Sequence, residues 1–200
     1  MSLARMLRDA LEEGHRQTPT LLPGDTRDPL ADDDKPGTPA AVLVPVVDRP
    51  DPTVILTLRP TTLREHAGQV AFPGGRVVPG DKGPIDAALR EAWEEIALPR
   101  DRVEIIGIAD PYRTITGYQV TPVIAVVPPD LALKAQPAEV AAIFEAPLDY
   151  LLHPRHQLVR TVEWRGTERT YYEIVWEGHR IWGATAAMIV NLSRRLALVS

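Results

Sequence analysis

Phe72-Pro73-Gly74-Gly75, then Pro79-Gly80-Asp81 and Gly83, then Arg90-Glu91-Ala92-Trp93-Glu94-Glu95 within the run 85–98, is the stretch that decides how this chain is read. On a wheel of 100° per residue, Ile85, Ala88, Leu89, Ala92 and Ile96 fall on one apolar stripe, which predicts a helix with that stripe against a core. Glu91 and Glu95 then lie one turn apart on the flank of the stripe. Glu94 is turned further out, on the side of Arg90. Two carboxylates at i and i+4 stand about 5–6 Å apart and repel, and a hard cation with oxygen ligands removes that repulsion. Taken alone, an acidic turn is more often a solvated face, with Arg90–Glu94 and Asp86–Arg90 as ordinary surface pairs. Gly74-Gly75 alone reads as a tight turn. Together, a strand end, a glycine loop open to close backbone approach and an acidic helix are the parts a phosphate-and-metal site needs.

Upstream, residues 41–47 and 53–58 are β-branched and leucine-rich runs separated by Asp48-Arg49-Pro50-Asp51-Pro52, which predicts two strands and a turn. Downstream, strands are expected over 103–109 and over 118–127, the latter closed by Pro128-Pro129. A hairpin is expected from 158–164 and 170–175 around Arg165-Gly166-Thr167. A last helix over 181–198 carries Ile181, Thr185, Met188, Ile189, Leu192 and Leu196 on one stripe. Apolar residues at helical spacing over 3–14 predict a short amphipathic helix, followed by a proline-rich segment with the acidic run Asp32-Asp33-Asp34. The division expected is therefore a helix and a Pro/Asp-rich extended segment over 1–39, then one domain over 40–200. Strands interspersed with helices make an α/β or α+β layered sandwich.

The whole composition bounds the reading. A chain of 200 residues with 44% hydrophobic and 24% charged residues has room for one ordinary globular domain. The absence of cysteine removes disulfides, thiolate metal sites and cysteine nucleophiles together. A net charge of −5 argues against nucleic acid as a partner, though a small phosphorylated substrate is compatible if a divalent cation supplies positive charge. No apolar run approaches the roughly 20 residues of a membrane span. The charged N-terminus has no apolar core of a secretory signal, so a cytoplasmic location is the default expectation.

The residues around the glycine loop and the acidic helix resemble the Nudix hydrolases. That family's box is Gly, five residues, Glu, seven residues, then Arg-Glu-apolar-x-Glu-Glu-x-Gly-apolar. Gly75, Asp81 and the run 90–98 follow it with three departures: Asp81 in place of Glu, eight residues between Asp81 and Arg90, and Ala97 in place of Gly. Leu56-Thr57-Leu58-Arg59 and the run 63–75 are similar to the segment that marks the coenzyme A pyrophosphatase branch, which shares the longer box. The runs 116–122, 139–140, 144–148 and 182–185 look like that branch's downstream pattern, whereas Pro60 departs from it. The resemblance covers residues 40–198 and leaves the first 35 residues unexplained.

The resemblance implies an α/β fold, a Nudix-type α/β/α sandwich with a mixed β-sheet. It further implies Mg²⁺- or Mn²⁺-dependent hydrolysis of the diphosphate of coenzyme A, giving 3′,5′-ADP and 4′-phosphopantetheine. Glu91 and Glu95 are the first expected metal ligands, with Glu94 third and the Gly75 carbonyl a fourth. Arg90 is expected to orient the glutamates. Glu139 is the candidate general base, and reads equally as an acid opening a helix after Pro137. Arg59 and Arg64, with Gly74 and Gly75, are candidates for binding substrate phosphates, although either arginine also fits a surface ion pair. The partner expected is thus a small nucleoside diphosphate. The box does not separate coenzyme A from ADP-ribose, NADH or dinucleotides, and a catalytically silent nucleotide-binding module is the remaining reading.

Overall fold

The computed structural model describes residues 2–25, 36–62, 66–164 and 167–197. Its centre is a mixed sheet built on β1 (Thr38–Val47), which runs parallel to β7 (Tyr118–Val127) along its whole length. Antiparallel to these lie β2 (Thr53–Leu58), β4 (Gly74–Arg76), β5 (Glu104–Ile108) and β6 (Tyr112–Arg113); β3 (Val70–Ala71) and β8 (Ala142–Pro147) pair with β2. Both faces are covered. Ala40, Val44 and Val46 of β1 join the core shared with α1 (Leu3–Arg16) and α4 (Ala184–Leu196), while Ala41, Leu43 and Val47 join the core under α2 (Pro84–Ile96). Double-sided burial is why β1 and β7 read as near-continuous apolar runs rather than alternating ones. Helix on sheet on helix is the α/β sandwich expected.

Pro45 sits inside this central strand, where a missing N–H ordinarily breaks a ladder. Here β1 pairs with β2 only at Val46 and Val47, and with β4 at Ala40, Ala41 and Val42. The proline stands where the strand changes partner, so the sheet forks between β2–β3 on one side and β4 on the other.

Three sequence expectations change. The helix expected from residue 181 starts at Ala184, because His179–Trp182 is a strand, β11, folded back on β10 (Thr167–Trp176). Glu177 and Gly178 both have positive φ, 45° and 81°, the twist of a two-residue hairpin turn. With β9 (Leu158–Trp164), these strands form a second, three-stranded sheet, and the short α3 (Leu148–Leu152) precedes it. Second, α4 is buried almost all round rather than along one stripe, being wedged among α1, α3, β10 and β11. Third, α2 ends at Ile96 instead of Leu98. Ala97 adopts the left-handed conformation (φ 54°) and donates to Trp93 O, while Leu98 N–H donates to Ala92 O, so Ala97 takes the cap position that glycine favours and Pro99 is not needed to end the helix.

α1 is tied to α4 through Arg195, which is 8% exposed. Its Nε and Nη2 grip both oxygens of Asp110 at 2.8 and 2.6 Å, and its Nη1 donates to the carbonyls of Gly14 and Gln17. The segment after α1 is held by Asn191, whose side-chain amide bonds both the N–H and the C=O of Leu22 at 2.8 Å. Among the described residues no helix is long and apolar enough to cross a membrane.

Two substitutions test this account. Ala97→Gly relieves left-handed strain and should stabilise the protein by about 0.5–1 kcal/mol in urea unfolding; an unchanged or lowered midpoint contradicts it. Arg195→Met strands Asp110 and two carbonyls and should cost about 2–4 kcal/mol in the same measurement.

Candidate active site

The site forms where α2 packs along β4 at the fork. In an antiparallel ladder, successive residues turn their backbone groups alternately toward and away from the partner strand. Gly75 pairs with Ala41 and turns inward to β1. Gly74 and Arg76 turn outward, and α2 meets both: the Gly74 N–H donates to Glu95 Oε2 at 3.1 Å, and the Arg76 carbonyl accepts from Arg90 Nη2 at 3.0 Å. The Cα of Gly75 faces Glu91 so closely that a Cβ there would lie 2.6 Å from the carboxyl carbon. Glycine at 75 is therefore required by the carboxylate and not by a turn. The residue expected to open a loop lies in the middle of a strand.

Arg90 is the hub. Its Nε and Nη2 hold both oxygens of Asp81 at 2.9 and 3.0 Å, and its Nη1 donates to Glu91 Oε1 at 2.7 Å and Glu94 Oε2 at 3.0 Å. With the Arg76 carbonyl this engages every N–H that a guanidinium has. The Asp81 side chain is enclosed, and the Arg90 guanidinium, aided by the Val78 N–H, holds its carboxyl down to about 2. The extra residue in the loop leaves Asp81 gripping the arginine. Asp81 is not among the metal ligands expected from the resemblance, since its spacing departs from the box, and nothing in that spacing announces this clamp.

The three glutamates occupy unlike surroundings. Glu95 is 3% exposed, Glu91 is half-buried and Glu94 projects into solvent. Burial pushes Glu95 up to about 8; the Gly74 amide and Arg59 pull against it, and the charges of Glu91 and Glu139 add to it. Burial also raises Glu91, against the Arg90 hydrogen bond. Glu139 reaches the same neighbourhood because its loop is pinned to the end of α2: Lys134 N–H donates to Ile96 O and Gln136 N–H to Glu95 O, and the Glu139 and Val140 N–H groups fold back on Gln136 O. Arg59, at the end of β2 on the far bank of the fork, brings Nη1 to 4.0 Å from Glu95, and its buried Nε meets no hydrogen-bond partner among the described residues. Arg64 lies outside the described residues.

The donor set suits a hard divalent cation. It offers carboxylate oxygens on one helical turn, beside an outward-turned glycine backbone, and the cost of burying Glu91 and Glu95 as anions is the cost that a cation relieves. Among the described residues no three carboxylate or imidazole groups already stand together at metal-site spacing, since Glu94 and Glu91 are drawn to Arg90.

Comparison with known proteins identifies the family. The family model described as the NUDIX domain matches residues 37–172. Curated relatives include the uncharacterized Nudix hydrolase NudL of Escherichia coli (strain K12) and that of Shigella boydii serotype 4 (strain Sb227). Each is 46% identical over 159 residues, covering 80% of this chain and 83% of the relative. Among solved structures, a Nudix hydrolase from M. Smegmatis, RenU, aligns over 57% of this chain and 73% of its own with 24% identity and a TM-score of 0.49. The family model over more than half of the chain, and the curated relatives across most of their length, place one conclusion beyond the geometry: this chain belongs to the Nudix hydrolases.

Proposed function

We propose that this Nudix hydrolase cleaves the diphosphate of coenzyme A or a derivative, giving 3′,5′-ADP and 4′-phosphopantetheine. The observation that carries the diphosphate reading is the buried Glu95 with the half-buried Glu91 one turn away, set against the edge of β4 with the spare donor of Arg59 across the fork. The upstream runs 56–59 and 63–75 support coenzyme A within that class.

Glu91 and Glu95 would hold Mg²⁺ or Mn²⁺, with Glu94 joining after release from Arg90. The outward-turned Gly74 carbonyl suits the cation better than that of Gly75, which faces β1. When bound, the cation neutralises diphosphate charge and lowers the pKa of water. The chain's own part is positional. Arg90 fixes the rotamer of Glu91, and that of Glu94 until it turns to the cation, with its other donors committed to Asp81 and the Arg76 carbonyl. Arg59, and Arg64 near it in sequence, would offer N–H groups to phosphate oxygens. Glu139 would take the proton from the water as its oxygen bonds to phosphorus and the bridging P–O bond breaks.

The direct test incubates the protein with coenzyme A, ADP-ribose, NADH and diadenosine polyphosphates, each with Mg²⁺ or Mn²⁺, and identifies products. Coenzyme A should be split into 3′,5′-ADP and 4′-phosphopantetheine; cleavage of another diphosphate with coenzyme A untouched overturns the coenzyme reading.

Glu95→Gln should lower turnover by about 10²–10³ or more while keeping the Gly74 N–H bond. In metal-free protein the sign for stability is opposite to that of an ordinary ion-paired acid. With a folded value near 8 against an ordinary 4.5, the contribution of Glu95 is fully present below about pH 4.5 and is lost as pH rises through 8. Melting temperature in chelator should therefore fall from pH 5.5 to 8.5 more steeply in the wild type than in Glu95→Gln. Parallel curves would show that the carboxyl is not held neutral.

A further inference from the structure

On the face of the sheet opposite α2 lies an open cleft of about 560 Å³, lined by His66, Arg76, Thr116 and Tyr118. Arg76 is one residue beyond Gly75, so the alternation that aims Gly75 at Glu91 aims Arg76 through to the other face. Tyr118 opens β7, on the opposite side of β1 from β4, and the two side chains meet across the start of β1. Arg76 Nε and Nη2 both donate to Tyr118 Oη, at 3.0 and 2.5 Å, and the guanidinium carbon sits 5.3 Å from the ring centroid. The phenol is a neutral partner. Among the described residues Arg76 meets no carboxylate, so its charge is positioned by Tyr118 without being neutralised, and Nη1 keeps its donors. His66, in the left-handed conformation (φ 56°), ties Nδ1 to Gln69 Oε1 at 2.9 Å, which leaves Nε2 as its other ring nitrogen. Thr116 contributes a hydroxyl shared with Thr114 at 3.0 Å.

The fixed guanidinium, with the Thr116 hydroxyl beside it, offers donors to an anion, and the planar fork suits phosphate; His66, whose Nδ1–H is given to Gln69, lines the cavity with an accepting Nε2. The cavity exceeds what one phosphate fills. It is also coupled to the glutamate helix, because the Arg76 carbonyl is held by Arg90. Arg76 is two residues from Gly74 along β4, so the cleft and the glutamate site are built on the same short strand.

We propose that this cleft binds a phosphomonoester carried on the ribose of the substrate's nucleoside, with Arg76 as the binding residue and Tyr118 as the residue that positions it. This rests on the diphosphate-hydrolase reading for the ligand's class, and it assigns a specificity pocket apart from the reacting phosphates.

Binding can be measured without turnover. Calorimetric titration of the full chain with 3′,5′-ADP and with 5′-AMP should show the bisphosphate binding about tenfold tighter or more, the scale of one charge-assisted pair. Arg76→Ala should bring that ratio close to one, Arg76→Lys should restore part of it, and Tyr118→Phe should lower it without abolishing it. Equal binding of the two nucleotides by wild type, or a preference that survives Arg76→Ala, overturns the proposal. A parallel assay compares kcat/KM for coenzyme A and its 3′-dephospho form, and the ratio should collapse in Arg76→Ala. If coenzyme A is cleaved and the ratio is unmoved, the pocket assignment fails and the activity stands. If coenzyme A is not cleaved but the nucleotide preference depends on Arg76, the activity reading fails and the pocket stands.

Discussion

The five N–H groups of Arg90 are the constraint on which this site is built. They reach Asp81 in the loop, Glu91 and Glu94 on the helix, and the Arg76 carbonyl on β4, so one planar group sets the distance between three chain segments. A guanidinium is suited to this because its fork is rigid and does not lose its charge in any accessible pH range. A lysine would offer one mobile point charge and leave at least two of these acceptors unmatched.

What the arginine secures is an expensive arrangement. Two carboxylates are drawn out of water on one turn of α2, one of them almost completely, and a third, Glu139, is brought near by the loop pinned to the helix end. A structure selected for stability alone would place apolar groups there, since buried charge without full compensation costs several kcal/mol. Under the proposed metal-dependent function the cost is accounted for, because a bound cation would turn the repulsion between these carboxylates into affinity.

Much of this was legible in the sequence, for identifiable reasons. The 3.6-residue period placed Glu91 and Glu95 on the flank of the buried stripe of α2 and turned Glu94 outward, which is the order of exposure found. Long apolar runs marked β1, β2 and β7. β4 was not legible, since it has three residues, two of them glycine, and owes its strand form to pairing with β1. Asp81 was obscured by its shifted spacing, which matters little to a side chain that reaches an arginine from a loop. The meeting of Arg76 and Tyr118, 42 residues apart, follows from sheet order alone and leaves no local trace. β11 was missed because Ile181 fits the stripe of the following helix, although Glu177-Gly178 before it is a turn pair.

The fork at Pro45 has a mechanical meaning. Arg59 hangs from the end of β2 and the glycines belong to β4, so the two banks of the site are carried by different strands that share β1 as a common root. With no ladder bonds across the gap, its width is governed by the twist of that root strand and by the short Phe72-Pro73 span joining β3 to β4. The reach between Arg59 and Glu95 is thus set by sheet geometry, and a small change in the twist of β1 would alter it.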